Sequence, residues 1–338
     1  MKDNKFRIFM GMAVVALIVF FIAAMSLGRY MIPFDKVIDI VLGNIFGYEG
    51  QWTKIEETVV MSIRFPRVLL SVFIGAGLSV SGVSMQALFS NPLVSPHILG
   101  VSYGAGFGAA LGILFSDKVA IIQILAITFG VVAICVTYLV SKTKNGIQLY
   151  MLVLSGVVVG SLFQAFISLI KYVADPEEKL PTIVYWLMGS LSGTSMEDLK
   201  IGIPLIGLSV LGLFIFRWQL NVLSLNEEEA ISMGINIKIL RAIVVITTTI
   251  ISAASVSLCG IVGFVGLVIP HFSRMIIGCE HRKLIPVSIV IGGIYLLIID
   301  TLSRTITAAE IPLSILTAVV GAPFFAYLLR KKGAGVDV

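Results

Sequence analysis

Apolar residues in this chain fall into long runs separated by short polar segments. The runs lie near 8–27, 68–89, 98–115, 119–140, 149–170, 201–216, 242–270, 284–299 and 311–329. About 20 apolar residues in a helix cross the ~30 Å hydrocarbon layer of a bilayer, so the pattern predicts membrane-spanning helices. The 242–270 run has 29 residues. As one helix it would be about 43 Å long, too long for one untilted span. Gly260 and Gly263 interrupt it, so it is read as two helices. Ten spans result, with both termini on one side.

Charge gives this pattern a direction. Lys2, Lys5 and Arg7 precede twenty uncharged residues, Ile8–Leu27. A secretory signal core holds only about 7–15 apolar residues, so this run is read as a retained first span. With the N-terminus cytoplasmic, 14 Lys/Arg lie inside and 10 outside, while 6 Asp/Glu lie inside and 13 outside. Every inside segment except the connection between the second and third spans carries basic residues, which is the positive-inside bias. Two longer outer segments, 28–63 and 171–200, hold Tyr30, Trp52, Tyr172, Tyr185 and Trp186, residue types that favour the membrane interface.

Composition excludes other classes. The chain of 338 residues is 58% hydrophobic and 13% charged, with a mean hydropathy of +1.04. Soluble domains run about 45–50% apolar and about 25% charged. Disorder and nucleic-acid binding do not fit. Cys135, Cys259 and Cys279 form no C-x-x-C pair and fall in or beside apolar runs, so they are read as buried small hydrophobes. His97, His271 and His281 lack the spacing of metal ligands. No G-x-x-x-x-G-K-[ST], G-x-S-x-G or H-E-x-x-H occurs, so no P-loop or recognised catalytic constellation is expected.

Other features point to a transport path. Glycines cluster within the runs, at Gly75, Gly77 and Gly82 and again from Gly100 to Gly112, where small residues let helices approach closely. Pro92, Pro96, Pro270 and Pro323 predict breaks or short helices. Ser79–Gly82 precedes Pro96-His97 much as Ser255–Ser257 precedes Pro270-His271, with Arg67 and Arg241 at the two helix heads. These helices run in opposite directions in the ten-span order, which suggests an inverted repeat.

Two places stand out for partners. Asn226 followed by Glu227, Glu228 and Glu229 reads as an N-cap with a carboxylate at N3. Ala230, Ile231 and Met233 give an apolar side and Gly234 a stop. A short amphipathic cytoplasmic helix over 226–234 is expected. It either docks a cytoplasmic partner or lies on the membrane. On the outer face, Arg64, Arg67 and Arg304 either snorkel or grip acidic groups of a docking protein. Asp300 and Glu310 are placed at the outer end of spans, leaving no carboxylate in mid-span for a proton-driven carrier.

Arg64-Phe-Pro-Arg67, Gly75-Ala-Gly77, Ser81-Gly82, Gln86, Asn91-Pro-Leu93 and Leu99-Gly100 resemble the opening motif of the FecCD-type permeases, membrane subunits of bacterial ABC importers. Tyr185-Trp186 with Gly189-Ser190, Gly263–His271 with Arg274, His281-Arg282, Asp300–Arg304, Glu310-Ile-Pro312 and Gly321–Phe325 extend the resemblance over about 60–330. It implies an all-α integral membrane protein of about ten transmembrane helices, with the type II ABC importer permease fold. The chain would be one permease domain, 1–338, with its core at 60–330 and a cytoplasmic tail at 330–338. The implied partners are a second permease copy, two cytoplasmic ATPases and an extracytoplasmic substrate-binding protein. ATP and Mg²⁺ would be used by the ATPase, and this chain would bind no cofactor. The site is the bacterial cytoplasmic membrane. The 226–234 helix matches the family's ATPase-coupling helix. Arg64, Arg67 and Arg304 match arginines that meet glutamates of the binding protein, and Leu149 and Tyr150 align with an inner gate. Small hydroxyl residues stand at that gate in the cobalamin importer of the family. Family frequency points to an iron–siderophore cargo, with haem or cobalamin as alternatives. An ion-coupled secondary transporter using Asp300 or Glu310 is the rival class.

Overall fold

Each apolar run becomes a helix. The computed structural model describes residues 3–143, 146–224 and 227–333. Fourteen α-helices are described. They are α1 Asp3–Ser26, α2 Phe34–Phe46, α3 Lys54–Glu57, α4 Phe65–Leu88, α5 Val101–Phe115, α6 Val119–Ser141, α7 Leu149–Val173 and α8 Lys179–Met188. The chain continues through α9 Met196–Ile215, α10 Glu227–Ser232, α11 Ile237–Cys259, α12 Val265–Ile277, α13 His281–Thr305 and α14 Leu313–Gly333. A π-helical stretch, Thr58–Arg64, joins α3 to α4, giving one continuous 35-residue helix, Lys54–Leu88. Among the described residues the one ladder is a two-residue antiparallel pair, Lys142 with Ile147 and Thr143 with Gly146.

Seven helices are long and apolar enough to cross a membrane, and α5, α12 and the apolar part of α14 are shorter. These ten coincide with the ten predicted spans. α4 is the hub: 83% of its apolar window is buried in protein, against 11% for α1. Backbone contact makes this possible. A Cβ on Gly82 would overlap the Gly266 carbonyl of α12, and one on Gly75 would overlap the Gly292 carbonyl of α13. Small residues thus let α4 touch both neighbours at van der Waals distance.

The breaks differ in part from the expectation. Pro92 and Pro96 do mark one: after α4 the chain re-enters as a segment over 89–100 with a 3₁₀ turn at Pro96–Leu99. Pro270 and Pro323 lie inside α12 and α14 without ending them. At Pro270 the helix survives because the Gly266 carbonyl, which proline cannot serve, receives Gln86 Nε2 at 3.4 Å. The second break falls at 260–264, where Gly260 takes φ +72° and Phe264 φ +64°. Gly260 needs that freedom, since its Cβ position is filled by the Trp186 carbonyl. The cysteines also depart from expectation. Cys259 is buried, but Cys135 on α6 and Cys279 between α12 and α13 are exposed.

The bundle has two ends. At one, Asp3 of α1 pairs with Lys283 of α13 at 2.8 Å, and Asn221 accepts from the His281 backbone at 3.0 Å. At the other, the C-terminus of α1 meets the start of α4 and the end of α13. α4 and α11 run antiparallel between these ends, as the inverted repeat requires.

Candidate functional site

Three regions gather the polar and charged chemistry of the bundle. They are a short helix at the Asp3 end, a charged cluster at the Arg304 end and a polar crossing between them.

At the Asp3 end, 216–236 links α9 to α11 and carries α10. Ala230 is fully buried against Val222 and Ile237. Ile235 N donates to the Ala230 carbonyl at 3.2 Å, while Gly234 takes φ +75° with open space around it. This is a Schellman-type stop, which a left-handed glycine makes without strain. The helix is therefore rooted by one residue and presents the next: Met233 is 49% exposed and Glu229 also faces out. Asn226 and the side chains of Glu227 and Glu228 lie outside the described residues, so the expected Asn226 cap is not part of this geometry. Asn236 caps the following span, accepting from Ile239 N at 3.2 Å. It was legible as an asparagine directly before an apolar run.

At the Arg304 end, the three arginines expected to meet a docking protein are turned inward. Arg64, Arg67 and Arg304 are only 5%, 7% and 7% exposed. Arg64 Nη1 donates to the carbonyls of Met25 at 2.7 Å and Ser26 at 2.9 Å, and Nη2 to Tyr30. Arg304 donates to Leu27 at 2.6 Å and to Ala24. Ala24, Met25 and Ser26 are the carbonyls that end α1, and Leu27 and Tyr30 follow it. Two guanidiniums supply the C-cap and the positive charge that the helix dipole favours there. Arg67 Nε donates to Asp300 Oδ1 at 2.9 Å, and its two Nη atoms grip Glu310 at 2.8 and 2.9 Å. The three arginines are thus buried in this chain with most of their donors bonded within it, and exposing Arg67 would leave Asp300, 0% exposed, without its main partner.

Between the ends, the re-entrant segment is pinned to the 260–264 break. His97 bridges Ser102 Oγ at 2.5 Å and the Val262 carbonyl at 3.1 Å. Gln86 donates to the Val94 carbonyl at 3.2 Å and accepts from Arg274 Nη2 at 2.5 Å. The His97–Val262 and Gln86–Arg274 bonds were not legible in the sequence because they join residues 165 and 188 positions apart.

A cavity of about 550 Å³ opens near the Arg304 end between α6, α8, α9 and α11, lined by Gln123, Tyr185, Trp186, Ser192, Thr194 and Asp198 among others. Gln123 Nε2 donates to Asp198 at 2.6 Å. Nearby, Lys179 pairs with Asp117 at 2.5 Å, and that bond raises the Lys179 pKa above its ordinary value. Of the two expected gate residues, Leu149 packs on the core and Tyr150 is exposed at the start of α7. Among the described residues no group of three or more His, Cys, Asp or Glu could hold a metal ion.

The FecCD transport family model matches residues 16–331. The chain belongs to the FecCD transport family. It is 37% identical to the molybdate import system permease MolB of Haemophilus influenzae, over 98% of both chains. It is 41% identical to a Helicobacter pylori protein described as an iron chelatin transport system permease, over 81% of this chain and 83% of that one. A solved structure described as an inward-facing metal-chelate type ABC transporter superposes with a TM-score of 0.86 at 36% identity, covering 96% of this chain and 99% of that one. This FecCD permease is accordingly a multi-pass membrane protein.

Proposed function

We propose that this FecCD permease is the membrane subunit of an ATP-driven importer that carries a metal chelate by alternating access. It works as a pair with a second copy. Two cytoplasmic ATPases engage the Asp3 end and an extracytoplasmic binding protein engages the Arg304 end. Both termini are then cytoplasmic, in agreement with the basic residues counted above.

The observation that carries this reading is the 216–236 segment. A six-residue helix, Glu227–Ser232, is held by buried Ala230 and closed by Gly234, and it leaves Met233 and Glu229 facing water at one bundle end. An exposed helix anchored between two spans suits the transmission of motion from a partner. Asp300 and Glu310 are both engaged by Arg67, which leaves the secondary-transport reading without a free carboxylate. Tyr150 is the member of the expected gate pair that is free to close a path between two copies.

Iron–siderophore is the cargo favoured by family frequency. A molybdate-like oxyanion is the second reading, favoured by the full-length similarity to MolB. The binding protein supplies affinity in either case, so the path itself needs few charges.

The test is cross-linking of a Met233→Cys permease to its ATPase. The account expects a cross-link that nucleotide state alters. A cysteine at 233 that modifies freely in the assembled complex contradicts it.

A further inference from the structure

α2 connects two predicted spans, α1 and Lys54–Leu88, but is not one itself. Its 13 residues divide into three sectors around the helix axis. One sector, Val37, Ile40 and Gly43, is buried against Ala24, Met25, Val60 and Val68. A second holds exposed Asp35 and Asp39, with exposed Phe46 at its C-terminal end. The third, Phe34, Ile38, Leu42 and Ile45, is exposed and wholly apolar. Those four positions follow i, i+4, i+8 and i+11, one stripe of a 3.6-residue helix.

The rotation of α2 is locked. Lys36 Nζ binds Glu56 Oε1 at 2.8 Å, and Asn44 Nδ2 binds Glu57 Oε1 at 3.0 Å. Trp52 fills the space beside Gly43, where a Cβ would overlap its ring. A left-handed Gly47 closes the helix, its N–H bonding the Gly43 carbonyl. The apolar stripe therefore cannot turn inward without breaking these ties.

We infer that α2 is a membrane-surface helix whose Phe34–Ile38–Leu42–Ile45 stripe lies in the lipid at the headgroup–acyl boundary, anchoring this end of the bundle. α2 packs against the C-terminal part of α1, whose Met12, Val15, Ile18 and Val19 are exposed and which is the least protein-covered of the long apolar helices. A helix at the junction of protein, lipid and water needs three sectors, and α2 has one for each. Its acidic flank faces water, so the surface it fits is neutral or zwitterionic rather than anionic, unlike the basic interfacial helices that seek anionic lipid.

The inference needs α1 to span the membrane but not the importer reading. The test uses full-length protein with Cys135→Ala, Cys259→Ala and Cys279→Ala, in phosphatidylcholine nanodiscs without anionic lipid. Spin labels are placed through Ile38→Cys, Leu42→Cys, Ile45→Cys, Asp35→Cys and Asp39→Cys, with Ile18→Cys as the span control. At 38, 42 and 45, collision with oxygen should exceed collision with a water-soluble nickel complex several-fold, and at 35 and 39 the order should reverse. Nickel-dominated collisions at 38, 42 and 45 overturn the inference. Immobile labels there, shielded from both reagents, also overturn it and indicate a protein partner such as the second copy. A nickel-accessible label at 18 overturns the membrane placement of α1 itself. Retained oxygen preference beside a failed ATPase cross-link at 233 leaves the anchor standing while the importer reading falls.

Discussion

Arg67 and Glu310 meet through two parallel hydrogen bonds, Nη1 to Oε1 at 2.8 Å and Nη2 to Oε2 at 2.9 Å, across 243 residues of chain. The same guanidinium holds Asp300 through Nε at 2.9 Å. One side chain at the start of α4 thus ties the end of α13 to the 306–312 segment. Removing the cation leaves a buried carboxylate facing only Arg304, 3.6 Å away. Arg67→Met should cost about 3–5 kcal/mol, the typical penalty for stripping one partner from a buried pair. A fall in Tm of detergent-purified protein checks this. Arg67→Met combined with Asp300→Leu should regain part of the loss, because the fully buried Asp300 carboxylate is then no longer stranded and only Glu310 still lacks its cation.

Close helix approach gives a second expectation. Gly82→Ala puts a methyl group into the Gly266 carbonyl, whereas Gly11→Ala meets open space on α1. The first should destabilise by about 1–3 kcal/mol through overpacking. The second should leave Tm unchanged or slightly raised, since alanine is the better helix former. Paired thermal melts separate the two.

Gln86 makes a third test. Its amide serves two carbonyls, and its oxygen receives a guanidinium. Gln86→Leu keeps the bulk but strands Arg274 and the Gly266 carbonyl opposite Pro270. Hydrogen bonds to charged groups contribute about 1.5–3 kcal/mol, and a loss of that size is expected. Faster amide hydrogen exchange should be confined to 89–100 and the first turns of α12.

Much of this was legible in the sequence because it is local. The apolar runs, the split at Gly260–Gly263 and the Gly234 stop follow from residue order and backbone preference alone. The burial of the arginines was not legible, since an Arg near a span end looks the same whether it snorkels, docks a partner or caps another helix. Arg64 and Arg304 cap α1 from 38 and 277 residues away, and no local pattern records such a pairing. Pro270 sits in a short helix, one of the two outcomes expected of it, and Gln86 of α4 supplies a donor to the carbonyl it cannot serve.

Orientation is checked by labelling. Lys142→Cys should react with an impermeant maleimide only from the cytoplasmic side, and Lys179→Cys only from outside. The two positions sit at opposite bundle ends in the structure. The opposite labelling pattern would invert the assignment of ATPase and binding-protein faces.

The central claim is that transport through this permease is driven by a separate ATPase acting at the Asp3 end. The most direct measurement is cargo uptake into proteoliposomes holding the permease with wild-type or hydrolysis-dead ATPase, with binding protein supplied on the opposite face. The account predicts ATP-dependent accumulation with the wild-type partner and none with the dead one. Accumulation that persists with the dead ATPase, or with no ATPase at all, would contradict it.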